Sequence, residues 1–410
     1  MVVTGVGAIT PIGNSVDEYW SSLLAGRSGA GRITAFDPEG LPVQMAAEVK
    51  GFDPGDHMDR KAAKRMERFA QFSIAATGEA LRHAQLEVNE ANQWDVGAVI
   101  ATGGGGIGAV AEETETLVTR GWERVGPMMV PLMIPNMASC QVSMHYGIKG
   151  PVVTNTAACA AGVYSMFEAL HFLRRGDAKA LVAGGTESAI LPLAFISMAR
   201  TGALSRRNDD PQTASRPFDK DRDGFLFGEG AGILVLETLD GARERGAKIL
   251  AELAGASITA DAFHVSAPEP SGESAKRAIL KAIHDADLQP SDIDYVCAHG
   301  TGTPLNDATE TKALKLALGD HAKKIPVSSV KSMIGHLLGA AGALSAVATV
   351  KTLDSGCIPP TINQFTPDPE CDLDYVPWKP RQAAVHNVLV NGFGFGGQNS
   401  VAVFKKWTEG

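Results

Sequence analysis

Gly224-Phe-Leu-Phe-Gly228 followed by Ile233-Leu-Val-Leu236, and Gly392-Phe-Gly-Phe-Gly396 followed by Val401-Ala-Val-Phe404, are the two stretches on which the fold turns. Each is a glycine-bracketed aromatic pair that runs, at the same spacing, into an apolar β-type segment. Two further echoes occur in the same order. Asp95…Val99-Ile-Ala-Thr-Gly103 parallels Asp294…Cys297-Ala-His-Gly-Thr-Gly302. Pro151-Val-Val153, a turn and a helical run parallel Pro326-Val-Ser328, a turn and a helical run. Three ordered echoes indicate a tandem duplication. Its seam falls at Gly246-Ala-Lys248, giving halves of residues 1–246 and 247–410.

Outward from these stretches, short apolar runs alternate with longer helical ones. Strands are expected at Met1–Val3, Val96–Ile100, Ala180–Ala183, Ile233–Leu236, Tyr295–Ala298, Val388–Asn391 and Val401–Phe404, several apolar at consecutive positions, as in strands covered on both faces. Helices are expected at Arg60–His83, Ala160–Arg175, Ala275–Ala286, Thr309–Leu318 and Gly335–Leu353. The alternation makes the chain α/β. A pseudo-twofold between the halves is expected to set Cys159 and His336 at comparable strand–turn–helix positions, facing each other across the junction.

Composition narrows the functional classes. The 410 residues are 44% apolar and 20% charged, enough for a large core, and the 45 glycines lack the period of collagen. A net charge of −9 argues against a face that coats nucleic acid. The five cysteines are scattered without a CxxC pair, which argues against a disulfide framework or zinc module and for a reducing, cytoplasmic compartment. The first residues lack the basic and cleavable pattern of a secretory signal. Met333–Val350 is long and apolar, but it contains His336 and is flanked by Lys331 and Lys351, so a core helix is expected rather than a membrane span.

Cys159 lies in Asn155-Thr-Ala-Ala-Cys-Ala-Ala-Gly162, where a β-run gives way to a helix. The small neighbours leave room for a substrate, and a helix N-terminus favours thiolate. The competing reading is an ordinary buried cysteine. His299 ends a strand before a Gly/Thr turn, and His336 stands at an expected helix start. Either alone is more often a core histidine than a catalyst. Lys331 could orient an imidazole or carboxylate, while Asp307 and Glu310 could equally cap the helix that they open. The glycine turns at 103–106 and 392–397 lack the partners of a P-loop or dinucleotide fingerprint.

Five motifs together carry a resemblance. TAACAAG at 156–162, ASRPFDKDRDGF at 214–225, HGTGTPLNDATET at 299–311, VKSMIGHLLGAAGA at 330–343 and GFGFGGQN at 392–399 resemble the condensing enzymes of fatty-acid synthesis, the 3-oxoacyl-[acyl-carrier-protein] synthases of KAS II type. The resemblance spans essentially the whole chain. It implies a thiolase-like fold, with duplicated halves in a five-layered αβαβα core, and a homodimer. Cys159 then matches the acyl-accepting nucleophile, His299 and His336 the histidine pair, and Lys331 the lysine beside them. Glu310 matches the acidic partner of that lysine, with Asp307 in its shell. Phe395 matches the gating aromatic, and its N–H with that of Cys159 the oxyanion hole. Thr301 and Thr303 match the hydroxyls holding a pantetheine arm, Phe393 lies beside them, and Gly104 falls at the floor of the acyl pocket.

The implied partner is an acyl carrier protein. Its candidate docking patch is Lys61, Lys64, Arg65, Arg68, Arg206 and Arg207. No cofactor, metal, nucleic acid or membrane insertion is implied. Ala157 departs from the Thr that the family commonly carries two residues before the nucleophile. A thiolase or KAS III-type enzyme fits less well because of His336, and a non-catalytic chain-length partner because of Cys159. A Cys–His hydrolase and a polyketide ketosynthase of the same mechanism are the remaining alternatives.

Overall fold

The computed structural model describes residues 1–409. Ten strands build its core: β1 (Val2–Ile9), β2 (Val96–Ala101), β3 (Val152–Val153), β4 (Ala180–Glu187), β5 (Gly230–Glu237), β6 (Ala251–Ala260), β7 (Tyr295–Cys297), β8 (Val327–Ser328), β9 (Asn387–Gly394) and β10 (Gln398–Lys406). They run in the order β8-β7-β9-β10-β6-β1-β5-β4-β2-β3. In the first five, β2 pairs parallel with β3 and β4, whereas β4–β5 and β5–β1 are antiparallel. In the second five, β7 pairs parallel with β8 and β9, whereas β9–β10 and β10–β6 are antiparallel. The same arrangement therefore occurs twice. The copies join where Val2 and Val3 of β1 pair with Glu252 and Ala251 of β6.

Six helices cover this sheet, α1 (Arg68–Ala84), α3 (Met137–Tyr146), α4 (Ala161–Arg175), α5 (Glu273–Asp285), α6 (Pro304–Leu318) and α7 (Ala341–Ser355), and a seventh, α2 (Ile107–Arg120), follows the glycine turn at 103–106. α4 and α7 form the central layer, where Val163, Met166, Leu344 and Val347 pack with Leu234, Leu236, Val390 and Phe404. On the outer faces, α1 and α3 cover Ile100, Val182, Ile233 and Val235, while α5 and α6 cover Ala298, Leu389, Val401 and Val403. Alternate residues of β5 thus enter opposite layers, which is why its sequence is apolar without interruption. Stacked in order, helix, sheet, helix, sheet and helix make the expected five layers. No helix among the described residues is long and apolar enough to cross a membrane.

Two helix expectations are corrected. Residues 60–83 do not form one helix: Asp59 caps a short turn at Arg60–Ala63, and α1 begins afresh at Arg68. Residues 335–353 break into a 3₁₀ turn at Leu338–Ala340 and α7, because Gly335 and Leu338 have φ of 72° and 43°. His336 is therefore in extended chain, its N–H donating to Leu226 O at 2.6 Å.

The pairing of Cys159 with His336 across the pseudo-twofold is also corrected. The first repeat has a 3₁₀ turn at Ala158–Ala160, with Ala158 at φ 47°, followed by the 15-residue α4. The second has its turn at Leu338–Ala340, followed by the 15-residue α7. Gly339, not His336, is the counterpart of Cys159. The stretch from β8 to its turn is longer than the stretch from β3 to its own, and that extra length carries Lys331 and His336.

Candidate active site

The turn before α4 builds the position of the candidate nucleophile. Cys159 is nearly buried, and two backbone N–H groups, its own and that of Phe395 from the β9–β10 hairpin, point at its sulfur. The hairpin can approach because Gly394 has no side chain: a Cβ there would lie 2.7 Å from Ala157 O. These are the two donors that an acyl oxyanion needs, held in place before any substrate arrives.

The expected preference for thiolate is not met in the ligand-free site. Burial pushes the Cys159 thiol up to about 12, against the lowering influences of the Lys331 charge and the two N–H groups. A rise of that size corresponds to about 4 kcal/mol, larger than the 0.3–1 kcal/mol that a helix terminus supplies. At neutral pH the sulfur rests as a thiol.

His299 follows β7, and its position is fixed through its backbone. Glu310 of α6 accepts the His299 N–H at 2.8 Å, the Gly300 N–H at 2.7 Å and the Asn391 amide at 2.9 Å. His336 is tied by its backbone to the 225–228 segment, with Phe225 edge-on to its ring at 5.2 Å. Burial first, and then the Lys331 charge, hold both imidazoles well below the ordinary histidine range, so both are neutral. Lys331 is itself fully buried, and its Nζ has no hydrogen-bond partner. Burial lowers its pKa, and the nearby Cys297, Glu310 and Cys159 oppose that.

A cavity of about 370 Å³ joins these groups. Its walls include Cys159, His299, His336, Glu310, Phe393 and Phe395, with Thr301 and Thr303 on the same wall. The two threonine hydroxyls are 3.0 Å apart, and Phe393 lies edge-on to His299 at 5.7 Å. One side can take a thioester and its polar arm, and the other presents a thiol and two uncharged N–H carriers.

Several expectations are placed elsewhere. Glu310 makes no ion pair or hydrogen bond with Lys331; its oxygens are spent on the His299 turn. Asp307 is fully buried and does not reach the cavity; it accepts the N–H groups of Phe218, Thr301 and Gly302 and faces Arg222 at 3.8 Å. Gly104 lies outside this cavity, its N–H on Glu187. Within the basic patch, Arg68 is committed to Glu229 at 2.9 Å and to the face of Phe72, so it is not free to dock a partner. Arg207 donates to Asp221 O at 2.7 Å, while Lys61, Lys64, Arg65 and Arg206 are exposed. Asn391, Arg222 and Glu187 are not singled out by the sequence. For Asn391 and Glu187 the one visible signal is a polar residue at the end of, or within, an otherwise apolar run, while Arg222 is one charge among several in the run 219–223.

Fold and site together define a carbon–carbon condensing enzyme. Residues 1–242 match the N-terminal domain and residues 250–365 the C-terminal domain of beta-ketoacyl synthases. The chain belongs to the beta-ketoacyl synthase family. It is 50% identical over 99% of its length to 3-oxoacyl-[acyl-carrier-protein] synthase 2 of Synechocystis sp., covering 98% of that protein. It is 46% identical, with the same coverage, to the synthase 2 of Staphylococcus aureus. Among solved structures, a beta-ketoacyl synthase from Burkholderia phymatum superposes with a TM-score of 0.93 at 32% identity, covering 99% of each chain. A type II polyketide ketosynthase in complex with its acyl carrier protein gives 0.90 at 34% identity, again over 99% of each chain.

Proposed function

We propose that the protein elongates fatty acyl chains by decarboxylative Claisen condensation, producing a 3-oxoacyl group on an acyl carrier protein. The observation that carries this reading is the convergence, in one cavity, of the Cys159 thiol, two backbone N–H donors and two neutral imidazoles. In the first half-reaction the sulfur attacks the acyl-carrier thioester, the C–S bond to the carrier breaks, and the Cys159 proton ends on the carrier thiol. The tetrahedral oxygen is held by the Cys159 and Phe395 N–H groups. Malonyl-carrier then loses CO₂, and the enolate oxygen is held by N–H bonds from His299 and His336, which never need to become charged. The enolate carbon attacks the acyl-Cys159 carbonyl, the acyl–sulfur bond breaks, and the cysteine takes up one proton.

Lys331 acts on this chemistry through its charge, lowering the cost of a negative sulfur and keeping both histidines unprotonated. Glu310 and Asp307 position the turn that presents His299, Thr301 and Thr303. The two threonines receive the pantetheine arm, Phe395 gates its entry, and the acyl chain runs beyond the described cavity toward Gly104, which forms the far end of its pocket. Residues 1–246 supply the nucleophile and 247–410 the histidines. The relatives at 46–50% identity favour fatty-acid elongation over a polyketide role, and Cys159 speaks against a non-catalytic partner.

A carrier protein docks at Lys61, Lys64, Arg65 and Arg206. A second copy of the chain covers the exposed Leu117, Val118, Trp122 and Val130 and the free sheet edge at β3. Five free cysteines suit a reducing cytoplasm. The activity is tested by supplying malonyl-carrier to the acylated protein and following CO₂ and 3-oxoacyl-carrier. Equal amounts of both support the reading; free fatty acid in place of the condensed product would make the protein a hydrolase.

A further inference from the structure

The duplication gives the nucleophile turn a counterpart in the second repeat, and in that counterpart a side chain of the protein stands where the active site is open. β4 and β9 are both eight residues long and lie in the same register on their parallel neighbours, Val99 opposite Ala183 and Cys297 opposite Val390. Their last residues, Glu187 and Gly394, are thereby equivalent. Gly394 faces the Cys159 turn and leaves the Cys159 N–H to the cavity; a Cβ there would already be 3.3 Å from that nitrogen. Glu187 faces the Gly339 turn and fills it.

The Glu187 carboxylate is fully buried. It accepts the N–H of Gly339 at 3.1 Å, of Gly103 at 2.7 Å and of Gly104 at 3.3 Å, and the Thr102 hydroxyl at 3.3 Å. The contact is close on both sides: a Cβ on Gly339 would lie 2.4 Å from the Gly103 nitrogen. A Cβ on Gly104, by contrast, would meet only Glu187 Oε1, at 3.6 Å, so there is room beside this turn. One carboxylate thus ties the 103–104 turn, which leads into α2, to the turn that begins α7 in the other repeat.

We infer that Glu187 is a positioning residue for acyl-chain selection: it stands as a built-in acceptor in the counterpart of the oxyanion site and fixes the Gly103–Gly104 turn against Gly339. This rests on the reading of that turn as the end of the acyl pocket. Without the carboxylate, three N–H donors lose their common acceptor. The turn is then free to shift into the vacated space, and the length of the pocket is no longer defined.

The test uses the full-length protein as wild type, Glu187→Ala and Glu187→Gln, with acyl-carriers of graded chain length competing for Cys159, read by intact mass. One methylene in an apolar pocket is worth roughly 10–200-fold, so losing the clamp is expected to flatten the ratio of best to worst chain length by about tenfold. Excess formate, and not chloride at equal ionic strength, is expected to restore the ratio in Glu187→Ala by refilling the three-donor site. Glu187→Gln, which keeps the volume, is expected to show faster amide exchange at Gly103, Gly104 and Gly339 than wild type. An unchanged length ratio in an acylated Glu187→Ala, or unchanged exchange at those glycines in Glu187→Gln, overturns the inference alone. A wild type that takes no acyl group would remove the activity and the selective role together.

Discussion

The rings of His299 and His336 stand 5.4 Å apart and nearly perpendicular, at 84°. Both are buried, and both sit within the field of a buried lysine that has no hydrogen-bond partner. A charged pair at that separation would repel itself and Lys331, so the arrangement suits two neutral N–H donors aimed at an oxygen that becomes negative during reaction.

A pH dependence of stability is a direct consequence. The folded protein holds both histidines well below their ordinary pKa of 6.5. Below about pH 6.5 the unfolded chain therefore binds protons that the native state refuses. Stability is lost as the pH falls through that range, by up to about 1.4 kcal/mol per pH unit for each histidine. Urea unfolding between pH 7 and pH 5 is expected to show this slope, and His336→Asn to reduce it. A slope in wild type no steeper than in the variant would mean that the imidazoles titrate normally.

The resting thiol has its own signature. With Cys159 pushed up to about 12 by burial, its alkylation by iodoacetamide is expected to keep accelerating through the region near pH 8.5 where a free thiol levels off. Lys331→Met removes the largest lowering influence and is expected to slow the reaction further. A plateau near neutral pH in the wild type would mean a preformed thiolate.

Much of this is legible in the chain. The echoes around Val99 and Cys297 and around Val153 and Ser328 mark the duplication, whereas the glycine–aromatic echo holds only for the strands that follow it, since Gly394 ends β9 as Glu187 ends β4. Each of the seven expected strands overlies an observed one, because fully covered strands leave uninterrupted apolar runs. The helix expected at 335–353 breaks because apolar composition does not reveal that Gly335 and Leu338 adopt positive φ. For the same reason sequence alone sets His336 opposite Cys159, a place that belongs to Gly339. The roles of Glu310, Asp307 and Glu187 are hidden because each acts on backbone N–H groups of another segment. No spacing in the sequence records such contacts. The direction of the thiol's shift is likewise invisible, since burial, which outweighs the helix terminus, is a property of the fold.

Pocket length is open to direct change. Gly104 has space beside it, its added Cβ meeting nothing nearer than Glu187 Oε1 at 3.6 Å. Gly104→Ile is expected to shift acylation toward shorter chains, with about tenfold loss for the longest accepted one and little change for the shortest. Acylation rates across a carrier series measure this. A uniform loss at all lengths would place Gly104 away from the pocket.

Carrier docking is expected to depend on exposed cations rather than on Arg68, whose guanidinium is held by Glu229. Charge reversal at Arg65 and Arg206 is expected to raise KM for acyl-carrier by about tenfold at low salt while leaving kcat nearly unchanged. Arg68→Ala is expected instead to lower stability. If KM and its salt dependence are the same in the reversed protein, the carrier uses another face.

One sulfur, that of Cys159, carries the growing chain in this mechanism. Intact-protein mass spectrometry of wild type and Cys159→Ala after incubation with acyl-carrier tests it most directly. One acyl adduct per wild-type chain and none on Cys159→Ala are predicted. An adduct that persists on Cys159→Ala, or one that maps in the wild type to Cys140 or Cys297, would contradict it.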